Sequence, residues 1–137
     1  MTPQELRLIK NSWNQVNPIA ADAARLFYRR LFELDPRLKT LFKGDMEEQG
    51  HRLMTMLATV VSGLEEVETI LPTVRNLGHR HASYGVKAKD YETVGAALLW
   101  TLEQGLGDRF TADVKAAWTK AYTILADTMR TAMAETA

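Results

Sequence analysis

Residues 69–86 read Thr69-Ile70-Leu71-Pro72-Thr73-Val74-Arg75-Asn76-Leu77-Gly78-His79-Arg80-His81-Ala82-Ser83-Tyr84-Gly85-Val86. Ile70, Val74, Leu77 and His81 recur every three or four residues, which puts them on one line of a helix. The line is apolar until its last member, an imidazole. His79 lies about 200° away at ~100° per residue, so it points in the opposite direction. The spacing predicts a helix from about Thr69 to His81, with Pro72 in its first turn, where the missing N–H does no harm. Ser83 to Lys89 reads as a turn around Gly85. A histidine where a hydrophobe belongs needs a partner, because an unpaired buried polar group costs free energy. Taken alone, it is ordinarily a core histidine satisfied by its neighbours.

Working outward, two more helices carry polar intruders. A helix is predicted from about Met46 to Val61, its inner face bearing Met46, Gln49, Leu53, Leu57, Val60 and, if it runs on, Leu64. Gln49 interrupts that face; alone it reads as a first-turn residue that is not fully buried. Asn17-Pro18 opens an earlier helix with Ala20, Ala24, Phe27, Leu31 and Leu34 facing inward. Tyr28 follows Phe27, and by itself it is a boundary tyrosine with its hydroxyl in water. Phe42 ends a short helical piece, Arg37 to Phe42, behind Asp35-Pro36, and reads as a core plug. Together these residues outline a metal-ligating imidazole facing two hydrogen-bond donors across a slot of Leu, Val, Met and Phe. A haem pocket for a diatomic gas requires that arrangement.

The remaining segments are helical too. Thr2-Pro3-Gln4-Glu5 is a capping box opening a helix to about Val16, with Leu6, Ile9, Trp13 and Val16 as its stripe. Gly44-Asp45 breaks the chain, and a loosely patterned acidic stretch follows Gly63. Asp90 is the expected cap of a long helix bearing Tyr91, Val94, Leu98 and Leu102, ended by Gly105 and Gly107. Thr111 caps the last, with Val114, Trp118, Ala121, Leu125, Met129 and Ala132. No convincing period-2 run interrupts this, so residues 1–137 are expected to form one all-α domain of about seven helices.

Composition narrows the function. Lysine and arginine balance the acidic residues, 17 against 17, leaving no basic excess to draw in nucleic acid or an anionic membrane. There is no cysteine, which excludes disulfides, thiolate metal sites, thiol nucleophiles and covalent haem attachment. No run approaches ~18 apolar residues, so no membrane span is expected. The first residues lack a secretory pattern, and a cytoplasmic location is expected.

The order of these motifs resembles the globin family, most closely bacterial single-domain globins related to the haem domain of flavohaemoglobins. Leu26-Phe27-Tyr28-Arg29-Arg30-Leu31-Phe32 resembles the family's distal tyrosine segment. Asp35-Pro36 and Leu41-Phe42 resemble the corner whose phenylalanine stacks on the porphyrin. Gln49 with Leu53 is similar to the distal glutamine and leucine, and Leu77 to His81 with Tyr84-Gly85-Val86 to the proximal-histidine segment. Asp90 to Gly95 and Ala117 to Tyr122 resemble the two closing helices. A globin fold around one non-covalent haem b (iron protoporphyrin IX) is what the resemblance implies, with His81 as iron ligand. Its second ring nitrogen would bond a carboxylate or a backbone carbonyl. Tyr28 and Gln49 would stabilise bound O2, while Phe42, Leu53, Leu57, Val86, Tyr91, Val94 and Leu98 line the cofactor. Arg52, His79 and Arg80 are candidates to pair with its propionates. Flavohaemoglobins partner Tyr91's counterpart with a glutamate in the last helix; here Met133 stands at that position, with Glu135 two residues on.

Reversible O2 binding for storage or delivery is the function implied, with NO and CO as further ligands. One alternative is oxidation of nitric oxide with electrons from a separate reductase, since the chain carries no Gly-rich nucleotide fingerprint. Another is a gas sensor or a haem-free regulatory globin. Oligomeric state stays open.

Overall fold

The computed structural model describes residues 1–136, among which six α-helices and four short 3-10 segments account for the regular structure, with no strand. Helix α1, Pro3–Val16, begins as expected. The Thr2 side chain accepts from the Glu5 N–H at 3.1 Å and the Glu5 carboxylate accepts from the Thr2 N–H at 2.8 Å, the reciprocal box that satisfies two orphan donors. Asn17–Ile19 then forms a 3-10 turn, so α2 covers Ala20–Leu34 and starts later than the Asn17-Pro18 signal suggested. Leu34, expected to face inward, is 42% exposed. It is the last residue of α2, and the chain leaves the helix at Asp35 (φ −148°), so the apolar stripe outruns the surface it packs against.

The short piece after Asp35 is a 3-10 helix, Pro36–Leu41, with the Asp35 carboxylate accepting from the Arg37 N–H. Helix α3 is Met46–Gly63, capped by Asp45 through the Glu47 N–H at 2.9 Å. The acidic stretch folds into a 3-10 turn, Leu64–Glu66, and α4 covers Val67–Ser83. Because α4 starts ahead of Thr69, Pro72 lies inside the helix rather than in its first turn and withholds one N–H from the ladder. Helix α5, Asp90–Leu106, includes Gly105 and ends at Gly107, whose φ of +56° turns the chain out of the helix. Lys89 holds the cap position and Asp90 opens the helix instead. Its buried carboxylate accepts from the Lys87 N–H at 2.9 Å. Thr111 caps α6, Ala112–Thr136, by accepting from the Val114 N–H.

Helices pack on helices: α4 on α6, and α2 on both α5 and α3. Several crossings are tight because a glycine sits in them, among them α2 on α3 and α4 on α6. A Cβ on Gly50 would lie 2.8 Å from the Cβ of Ala24, and one on Gly78 would lie 2.7 Å from the Met129 carbonyl oxygen. These crossings set the depth of Gln49 and His81 beside them. The core of Ile9, Trp13, Val16, Phe27, Leu31, Leu98, Leu102 and Trp118 contains one buried polar pair. The Trp118 indole N–H donates to Ser12 Oγ at 2.8 Å, and that hydroxyl donates to the Leu8 carbonyl, leaving no orphan. Among the described residues no helix is long and apolar enough to cross a membrane.

Candidate functional site

His81 stands near the end of α4, half-buried. Its Nδ1 lies 2.6 Å from the carbonyl oxygen of Leu77, one turn back. Helical side chains lean toward the N-terminus, which brings that carbonyl within reach. A carbonyl can only accept, so Nδ1 carries the proton and Nε2 is left with its lone pair. Burial holds the imidazole below its usual pKa, with the Arg80 charge acting in the same sense and the Leu77 bond against it. The ring is therefore neutral at pH 7. The His81 carbonyl accepts from the N–H groups of Tyr84 and Val86, both at 3.1 Å, and this fixes Val86 in the turn beyond the histidine.

Tyr91, buried on α5, has its ring centroid 6.4 Å from that of His81. Its hydroxyl donates to the Met133 sulfur at 3.1 Å, and its carbonyl accepts from the Tyr122 hydroxyl at 2.6 Å. Burial pushes the Tyr91 phenol up to about 12. Glu135, the nearest acid along α6, is paired with Arg75. The hydrogen-bond partners of the two rings, the Leu77 carbonyl and the Met133 thioether, are uncharged, while the Arg130 guanidinium lies 5.5 Å over the Tyr91 ring.

Tyr28 is buried on α2, its ring edge-on to Phe27 at 5.0 Å and to Phe42 at 5.2 Å. Phe32 packs on Phe42 at 5.6 Å, so the aromatic corner is one cluster. Burial pushes the Tyr28 phenol up to about 12, which keeps it a donor. The hydroxyl donates to the backbone carbonyl of Gln49 at 3.4 Å. That is long for an O–H···O bond and correspondingly weak. The Gln49 carboxamide is half-buried and makes no hydrogen bond to any described residue. Leu53, Leu57 and Val94 are half-buried against the core, and Leu98 is buried within it.

The aromatic corner and the turn after His81 meet. A Cβ on Gly85 would lie 3.6 Å from Leu41 Cδ2. The Arg37 guanidinium, bonded to Asp35 at 2.7 Å, also lies 3.8 Å from the buried Asp90 carboxylate. Of the candidates for propionate pairing, Arg52 is taken up by Glu48 one turn back at 2.7 Å, His79 is engaged elsewhere, and Arg80 is exposed.

Sequence reading did not find the Leu77 carbonyl, the Arg37–Asp90 approach or the Tyr122 bond. The first had a usable signal, since a helical histidine can reach the carbonyl four residues back. The other two depend on contacts between distant segments. Among the described residues no three His, Asp or Glu side chains gather to hold a bare ion. A single neutral imidazole with a free lone pair suits a metal that arrives already held within a cofactor. A haem fits that donor set.

A family model described as Globin matches residues 25–129. Neuroglobin of Danio rerio is 29% identical over 143 aligned positions, covering 94% of this chain and 90% of that protein. A flavohemoprotein of Oceanobacillus iheyensis is 36% identical over 104 positions, and one of Bacillus subtilis 34% over 104. These alignments take in 74% of this chain and 26% of each relative, so the chain spans about a quarter of the flavohemoproteins it matches.

Proposed function

The chain belongs to the globin family, and on that premise we propose that it binds O2 reversibly through a non-covalently held haem b, acting in the cytoplasm. Haem supplies an iron with an open coordination position for O2, NO or CO. In this reading His81 Nε2 is the protein's ligand to it, Phe42, Leu53, Leu57, Val86, Tyr91, Val94 and Leu98 surround it, and Tyr28 and Gln49 donate to the gas.

The observation that carries the reading is the bond from His81 Nδ1 to the Leu77 carbonyl. An uncharged acceptor holds the ring's orientation without loading it with negative charge, as a carboxylate would. That favours holding a ligand over cleaving it. In the same reading Tyr28, which remains protonated across the physiological range, and the unengaged Gln49 carboxamide are the two donors that would turn toward a polar gas.

A second reading, oxidation of nitric oxide with electrons from a separate reductase, is favoured by the similarity to relatives whose name joins a flavin to a haem. Turnover of nitric oxide with an added reductase distinguishes the two.

The test is a visible spectrum. The purified chain reconstituted with haem is expected to give a Soret band that shifts reversibly with O2, and His81→Ala to lose the native spectrum. A native spectrum retained by His81→Ala would overturn the reading, and a chain that takes up no haem would leave the haem-free alternative.

A further inference from the structure

The cations of this chain are unevenly neutralised. Away from the site they are mostly paired: Lys10 with Glu65, Arg25 with Asp22, Arg29 with Glu33, Lys120 with Glu5. The segment after Asp35 and the segment that carries His81 break the pattern. Residues 36–44 contain Arg37, Lys39 and Lys43 and no acid, and residues 79–89 contain Arg80, Lys87 and Lys89 and no acid. Lys39, Lys43, Arg80, Lys87 and Lys89 are exposed, and none forms a salt bridge among the described residues. The flanking acids are already engaged, Asp35 by Arg37 with Lys89 acting on it from further off, Asp45 by the Glu47 N–H, and buried Asp90 by the Lys87 N–H. The contact of the Gly85 turn with Leu41 and the approach of Arg37 to Asp90 hold these segments side by side. The charges therefore form one rim. Tyr84, 60% exposed, lies between Arg80 and Lys87 and gives the rim an aromatic side chain.

We infer that this rim is the docking surface for an acidic electron-donor protein, an inference that rests on the haem reading above. Unpaired like charges repel one another, so folding alone gives no reason to gather them. The two carboxylates of a haem could neutralise only part of the rim. Clustered exposed cations steer an oppositely charged partner and set its orientation, here toward the side where the cofactor would be reached. An exposed tyrosine inside a charged surround is a common anchor of protein interfaces. A polyanion or an anionic bilayer fits less well, because either would extend past the rim onto a chain whose 17 acids balance its 17 cations, whereas a compact acidic protein meets the rim alone. At the docked rim one electron would pass to ferric iron, making it ferrous, and the donor would be oxidised by one electron.

The test uses two acidic donors as probes, a flavodoxin and a plant-type ferredoxin, titrated into the haem-reconstituted chain by calorimetry. Lys43→Gln/Lys87→Gln is compared with Arg7→Gln/Lys115→Gln, which removes the same charge from exposed unpaired cations elsewhere. Helical circular dichroism and the Soret position serve as folding controls. The rim pair is expected to weaken Kd by about fivefold or more and the control pair by less than about twofold. Raising salt from about 20 to 300 mM should weaken wild-type binding by roughly tenfold or more. Equal weakening by both pairs, salt-insensitive binding or binding of neither probe would overturn the inference. So would rim-dependent pelleting with phosphatidylglycerol vesicles in place of probe binding. Binding is read as heat rather than as gas chemistry, so a missing Soret band reports failure of the haem reading separately.

Discussion

Tyr28 has one proton and two places to put it. Burial keeps the phenol neutral, its pKa pushed up to about 12, so the proton is available throughout the physiological range. Its bond to the Gln49 carbonyl, at 3.4 Å, is long enough that giving it up costs little. A hydrogen bond to a charge-bearing acceptor contributes about 1.5–3 kcal/mol. Tyr28→Phe is therefore expected to speed O2 dissociation by roughly 10- to 100-fold, with CO affected less, as measured by stopped-flow. A rate within twofold of wild type would remove Tyr28 from this role. The burial of Tyr28 was legible in the sequence because it sits beside Phe27 in an apolar stripe, as the inward turn of His81 was at the end of its own. The partners of these residues were less so. Periodicity says that His81 turns inward, but a carboxylate and a carbonyl both remained open as acceptors until α4 supplied Leu77.

Among the elements, α4 has the most to hold, because it presents His81 and crosses α6 in close contact. At Gly78, three residues before His81, a Cβ would fall 2.7 Å from the Met129 carbonyl oxygen and 2.9 Å from Ala132 Cβ. The first of these is backbone, which cannot swing away as a long side chain does. Gly78→Val is expected to force the helices apart at a cost of about 1–3 kcal/mol, the usual range for overpacking. Denaturant unfolding should show the loss, and haem dissociation should quicken because His81 moves with the helix. Unchanged stability would mean that the crossing is looser than it looks. Of the element boundaries, α1 was foreseen through its reciprocal cap, whereas α4 began early and enclosed Pro72, because no N-capping side chain marks Glu66. Local signals place a helix end only where a side chain satisfies the orphan groups there.

At the scale of the whole molecule, the walls around the site are apolar side chains left half-buried, including Phe42, Leu53, Leu57 and Val94. A ligand that covers them and binds only the folded chain stabilises that chain by mass action, about 4 kcal/mol at a thousandfold excess over Kd. Stripping the haem is expected to lower Tm by roughly 10–20 °C for a domain of this size, read by circular dichroism with and without cofactor. Identical melting curves would count against a haem between these walls. Sequence by itself determined the helical class and the inward faces of the stripes that carry Tyr28, Gln49 and His81, because a 3.6-residue period is written along one strand of chain. It also ruled out thiol chemistry by the absence of cysteine. The tertiary structure alone decided that Met133 accepts from Tyr91, that Asp90 lies beside Arg37 and that two basic segments form one rim. Each of those depends on how helices from distant parts of the chain cross, and crossing depth is set by contacts such as Gly50 on Ala24 and Gly78 on Met129, which no local period encodes.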